Sequence, residues 1–180
     1  MSPRVIVGGG PAGSALACLL AGAGREVLLL EREAAPTDKV CGDFLSIEAL
    51  RSVAALGLDV HRLGAAPITA LRLVHGAHVA ETALPFAALG LSRRVLDEAL
   101  LTLAEDRGAK VLRGRRALAL HREGTRLRLA TSIGEMAPAA VFLATGKHDL
   151  RGAQRAARAP KTVAFKSYLS LAQDQTDVLR

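Results

Sequence analysis

Residues 5–24, VIVGGGPAGSALACLLAGAG, carry no charged side chain and are as long as a membrane span. Three readings compete for such a run: a membrane helix, a cleaved secretory signal, or a strand and a helix that bury each other. The interior decides between them. Gly8-Gly9-Gly10-Pro11, with Gly13 after it, breaks a spanning helix near its first third. A signal peptide needs an unbroken apolar centre and a small-residue cleavage site. Residues 15–23 pass for the first, but cleavage after them would discard the glycines. As a nucleotide-binding unit, every residue has a use. Residues 4–7 are a short β-branched run, suited to a buried parallel strand. Gly8, Gly10 and Gly13 spell G-x-G-x-x-G: the tight turn, the close approach of a diphosphate to the backbone, and the close packing of helix on strand. Pro11 suits the first helical turn, where its missing N–H costs little. Ala12 opens a helix of small residues and Leu over 12–23, ended by Gly22 and Gly24. Unbonded amides and the dipole at that helix start favour a diphosphate.

A lone glycine fingerprint is weak evidence, but its context here is the one the chemistry requires. Residues 26–30 form a second apolar strand and Glu31 ends it, where a carboxylate accepts hydrogen bonds from a ribose. Arg32 next to it either lies over an adenine or faces solvent. No stable membrane span is expected. The fingerprint by itself does not separate NAD from FAD.

Composition narrows the rest. The chain has 180 residues and is half hydrophobic, enough for a core and against disorder. Aromatic residues make up 3%, which argues against modules that stack bases. The net charge is +7, yet the Arg residues are spread over every segment. Arg113-Gly114-Arg115-Arg116 and the Arg residues of 151–158 are too short for a continuous stripe, so a nucleic-acid partner is not expected. Two cysteines, Cys18 and Cys41, make neither a disulfide framework nor a metal site and fit the reducing cytoplasm.

Further along, Ser46 caps an expected helix that runs to about Leu56, with Gly57 as its stop. Residues 67–84 read as two strands around His75-Gly76-Ala77-His78. Ser92 caps a longer helix whose buried face is Val95, Leu96, Ala99, Leu100 and Leu103. Gly108 closes it and 109–112 is a third core strand. Residues 115–121 and 125–130 form a hairpin about Glu123-Gly124, and 135–144 return as one strand ending at Gly146. This order is α/β, in layers.

Four stretches carry a family resemblance: EREAAPTDKVCGDFLSIEAL, LSRRVLDEALLTLAEDRGAKVL, VFLATGKHDLRGAQR and TVAFKSYL. They resemble the N-terminal portion of FAD-dependent oxidoreductases of the geranylgeranyl reductase type. That type lies within the glutathione-reductase-like group that includes para-hydroxybenzoate hydroxylase and the flavin-dependent halogenases. The resemblance implies a three-layer, Rossmann-like FAD-binding domain with a β-meander and the start of a β-rich substrate domain. It implies FAD-binding segments at 1–60 and 91–150, substrate-side strands at 61–90, and the beginning of the substrate domain at 151–180. It also implies FAD as cofactor, NAD(P)H as electron donor and a small or prenyl-type, lipid-like substrate. Gly8, Gly10, Pro11, Ala12, Gly13, Glu31 and Arg32 would hold the adenosine diphosphate half. Cys41-Gly42-Asp43 would face the isoalloxazine ring, where Cys41 either tunes the ring or touches substrate, or is an inert packed thiol. Arg93 would reach the diphosphate, Asp97 at i+4 would merely pair with Arg93, and Gly146 belongs to the late turn. The turn reads Thr145-Gly146 where monooxygenases of the group have Asp-Gly. The group's second flavin motif, a Gly-Asp before a later helix, is expected after Arg180.

The leading function is thus a flavin reductase acting on an alkene. The alternatives are a flavin monooxygenase, in which reduced flavin activates oxygen, and a non-catalytic binding module, as in the Rab GDP-dissociation inhibitors, which resemble this fold. His148-Asp149 invites an acid–base reading but lacks a third partner. His61, His75, His78 and His121 have no metal-ligand spacing.

Overall fold

The computed structural model describes residues 2–40, 43–155, 163, 165–167 and 178–179. The chain divides into two compact units, Met1–Thr37 with Asp97–Lys161, and Asp38–Leu96 with Thr162–Arg180.

The first unit is built on a parallel sheet. β1 (Arg4–Val7), β2 (Val27–Glu31), β6 (Lys110–Arg113) and β10 (Ala140–Leu143) line up in the order β10-β1-β2-β6. Val5 sits opposite Leu28 and Val141, and Leu30 opposite Leu112. The central strands β1 and β2 read as near-continuous apolar runs because both their faces are covered. Val5, Val7, Leu28 and Leu30 pack with Leu129 and Leu150. Leu129 belongs to an antiparallel meander of β7 (Ala117–Glu123), β8 (Arg126–Thr131) and β9 (Gly134–Met136). Ile6 and Leu29 point to the opposite side by strand alternation and are fully buried. That side is taken by α1 (Pro11–Gly22), whose Ser14, Ala17, Cys18 and Ala21 are buried. Helix, sheet and meander make the three layers expected from the sequence.

α3 (Arg93–Asp106) begins in the second unit and enters the first at Asp97. Its Leu100, Leu101 and Ala104 are buried, and the Cys18 thiol lies 3.8 Å from the Leu100 carbonyl. Arg113 on β6 makes a two-pronged ion pair with Glu98 of α3, at 2.7 and 2.8 Å.

The single strand expected over 135–144 is instead two strands in two sheets. β9 closes the meander and β10 joins the parallel sheet, with Pro138 between them. Proline has no N–H to continue a ladder and so marks the switch. After β10 the chain folds back on the meander. Leu120 N donates to Arg151 O at 2.8 Å, and Gly152 lies against Leu120, where a Cβ would stand 2.0 Å from the Leu120 carbonyl oxygen.

The second unit holds α2 (Ile47–Ala55), capped by Ser46 Oγ accepting from Ala49 N. Beside it is a sheet of β3 (Phe44–Leu45), β4 (Ala66–His75), β5 (His78–Gly90) and β11 (Val178–Leu179), ordered β11-β4-β5-β3. β5 runs past the expected end at 84. The pairing shifts between Ile68 opposite Ala88 and Ala70 opposite Ala83, so the excess on β5 contains Pro85. The bulge absorbs a residue that cannot donate to the ladder.

Candidate functional site

At the carboxyl end of the parallel sheet, β1 runs into the glycine turn. Gly8 takes φ +108°, a conformation glycine alone adopts without strain. Its N–H donates to Leu30 O at 2.9 Å, and Ala144 N donates to Val7 O at 2.9 Å, so neighbours on both sides hold the end of β1. A Cβ on Gly8 would lie 2.4 Å from the Ala144 carbonyl oxygen, and one on Gly13 would lie 1.9 Å from the Gly8 carbonyl oxygen. The first and third glycines of the fingerprint are thus required by the protein's own backbone. Gly10 is the N-cap of α1, in extended conformation with no side-chain cap, and Pro11 opens the helix.

The first intrahelical bond runs from Ser14 N to Gly10 O, at 2.9 Å. The amides of Ala12 and Gly13 come before it and are the orphan donors of a helix start. No acidic side chain stands in the first turn, so nothing there repels an anion drawn by the dipole, which is equivalent to about half a positive charge.

Glu31 at the end of β2 turns toward this loop. Its Oε2 accepts from Gly9 N at 2.6 Å and its Oε1 accepts from Glu33 N at 2.9 Å. Arg115 N donates to Glu31 O at 2.9 Å, fixing the backbone that carries the acid. Each carboxylate oxygen keeps a further lone pair for a hydroxyl. The link to Gly9 has no motif signature: the unnamed x between two glycines supplies the amide. Any Cβ at Gly9 would sit 2.8 Å from Glu31 Oε2.

Gly8, Gly10, Pro11, Ala12, Gly13 and Glu31 therefore come together in one crevice. Arg32 is beside it, exposed, with its Nε on Glu33 Oε1 at 2.9 Å. Gly146, at φ +62°, follows the Ala144–Thr145 backbone that crosses Gly8. Arg93 belongs to the second unit, where its N–H donates to Asp43 Oδ1 at 3.0 Å. Cys41 and Gly42 lie outside the described residues. His148 and Asp149 do not form a dyad: Asp149 Oδ1 accepts from Arg155 Nε at 2.9 Å, and His148 uses its backbone carbonyl to accept from Thr145 Oγ1 at 2.5 Å. Cys18 is buried, and burial pushes its thiol pKa up, which suits an inert core thiol. Among the described residues no group of three or more His, Cys, Asp or Glu is placed to hold a metal, and no helix is long and apolar enough to cross a membrane.

An adenosine diphosphate fits this donor set: two orphan amides on a dipole for its phosphates and a fixed carboxylate for its ribose. Comparison with known proteins points the same way. The chain is 37% identical over 127 residues to a menaquinone reductase of Mycobacterium tuberculosis, covering 68% of this chain and 31% of that protein. It thus spans about a third of the length of that curated relative. The structure of a myxobacterial chondrochloren halogenase, an FAD-dependent halogenase, superposes with a TM-score of 0.69 at 26% identity, over 82% of this chain and 38% of that one. A geranylgeranyl bacteriochlorophyll reductase-like protein of Thermoplasma acidophilum shares the fold, with a TM-score of 0.63 at 24% identity over 81% of this chain and 39% of that one. Residues 2–133 match the FAD-binding domain family; the chain belongs to that family.

Proposed function

We propose that this chain supplies the adenosine-diphosphate site of an FAD-dependent oxidoreductase that takes electrons from NAD(P)H and reduces a small, prenyl-type substrate in the cytoplasm. The observation that carries the reading is Glu31, fixed on Gly9 beside the orphan amides of Ala12 and Gly13. Those amides bind the diphosphate, Glu31 accepts from the ribose hydroxyls, and Arg32 flanks the adenine. Gly146 and Arg93 are assigned to the cofactor by resemblance, as is the segment Cys41-Gly42-Asp43, which the same resemblance gives to the isoalloxazine ring. When bound and reduced by NAD(P)H, FAD would supply a hydride for one alkene carbon of the substrate, with a proton from solvent completing the other. Menaquinone, named in the mycobacterial relative, is a quinone with a prenyl chain and so belongs to the proposed substrate class. Nucleic acid is not a partner in this reading.

The test is direct. The protein is purified, its visible spectrum is taken, and FAD is titrated into it. A yellow protein, or one that takes up FAD and then oxidises NAD(P)H with a prenylated quinone present, supports the reading. A colourless protein that leaves added FAD free overturns it. The likeness to a halogenase structure favours one second reading, an oxygen-using flavin enzyme. Product formation that requires oxygen selects it; product formed under anaerobic conditions selects the reductase.

A further inference from the structure

The Ser14 side chain is fully buried, and its hydroxyl reaches out of the helix that carries it. Ser14 Oγ donates to the Gly9 carbonyl at 3.0 Å, five residues back along the chain. The other polar group of Gly9 is held as well, because its N–H donates to Glu31 Oε2. One residue of the glycine turn is therefore gripped on both sides, by a hydroxyl from α1 and by an acid from β2.

This grip also orients the next amide. The peptide between Gly9 and Gly10 is trans, and in a planar trans peptide the C=O and the N–H point in opposite directions. With the Gly9 carbonyl turned to the buried Ser14 hydroxyl, the Gly10 N–H points away from it. Gly10 is partly exposed, and its N–H has no hydrogen-bond partner among the described residues. Sterics alone would not keep this orientation. Glycine on both sides leaves the peptide free to turn over, since neither residue has a Cβ to oppose the other form. Turned over, the peptide would present a carbonyl oxygen, which repels an anion, in place of a donor.

We propose that Ser14 is a positioning residue: it holds the Gly9–Gly10 peptide so that the Gly10 N–H joins the amides of Ala12 and Gly13 as a donor to the cofactor's diphosphate. The orientation of the Gly10 amide follows from the contacts. That a diphosphate receives it rests on the proposed function.

The experiment uses the full chain and two probes, ADP and adenosine, which differ only in the diphosphate. Each is titrated into the parent and the variants, and binding is followed by NMR. The parent is expected to prefer ADP. Ser14→Ala, which removes the hydroxyl, is expected to lower the affinity for ADP on the order of ten-fold, the effect of one charge-assisted hydrogen bond, and to leave that for adenosine unchanged. Ser14→Cys, of nearly the same shape but a weak donor, is read in the same way where Ser14→Ala does not accumulate folded protein. A loss shared equally by ADP and adenosine is what a merely structural role would give, and it overturns the proposal. So does an unchanged affinity for ADP in the Ala and Cys variants when the parent binds ADP, and that result leaves the proposed function standing. A parent that binds neither probe overturns the proposed function and this inference together.

Discussion

Glu31 Oε2 accepts a hydrogen bond from the Gly9 amide at 2.6 Å, which ties the acid at the end of β2 to the middle of the glycine turn. The other oxygen is on Glu33 N at 2.9 Å. Every described partner of this carboxylate is a donor, so an amide side chain is a poor replacement: its NH2 would face an N–H. Glu31→Gln is therefore expected to weaken FAD binding nearly as much as Glu31→Ala, each by about 2 kcal/mol. Quenching of flavin fluorescence on titration measures both. A Gln variant that binds like the parent would mean the charge and the second acceptor oxygen are not needed.

The glycines of the turn are not equivalent to those of the surface. Gly13→Ala drives a Cβ to 1.9 Å from the Gly8 carbonyl and is expected to cost at least about 3 kcal/mol, since backbone rather than a side chain must move. Gly76 has φ +59° with nothing within 4 Å of a built Cβ. Gly76→Asn, a residue that tolerates this conformation, is expected to stay within about 1 kcal/mol of the parent. Thermal unfolding of the two variants side by side distinguishes them; equal losses would contradict the close approach of α1 to β1.

Burial raises the Cys18 thiol pKa above its ordinary value of 9.0, with Arg107 pulling the other way. A group whose pKa is raised by folding contributes stability that is complete below its unfolded value and is lost as pH rises through the folded one. The melting temperature is thus expected to hold up to about pH 9 and to decline beyond it more steeply in the parent than in Cys18→Ala. Parallel alkaline slopes in the two proteins would show that this thiol does not titrate on unfolding.

Asp149 pairs with Arg155 at the surface, with side chains 40% and 58% exposed. Such a pair contributes at most about 1 kcal/mol. Asp149→Asn is expected to leave stability within that limit and to leave the rate of flavin reduction by NAD(P)H unchanged. A ten-fold loss in that rate would restore the acid–base role that His148-Asp149 suggests by adjacency.

Much of the first unit was legible in the order of residues. Gly8, Gly10 and Gly13, with a β-branched run before them and Glu31 after, specify a strand, a turn, a helix and a second strand. Each local preference there agrees with the tertiary arrangement. The helix starts at Ser46 and Ser92 were legible too, because a cap is a contact within one turn: Val95 N reaches Ser92 Oγ at 3.3 Å. Strand ends were less so. The apolar character of 135–144 continues across Pro138, and sequence alone does not reveal that one half pairs with the meander and the other with β1. The extension of β5 past Pro85 has the same cause, because pairing partners distant in sequence decide where a ladder stops.

By itself, then, the sequence determined that a βαβ unit with an anion-binding helix start opens this chain, because turn geometry, helix packing and dipole act over a few residues. Only the tertiary structure decided that Glu31 grips Gly9, that Asp149 belongs to Arg155 rather than to His148, and that Arg113 pairs with Glu98. Those are contacts between groups separated along the chain, and hydrogen-bond geometry within a few ångströms selects among partners that composition and spacing leave equivalent.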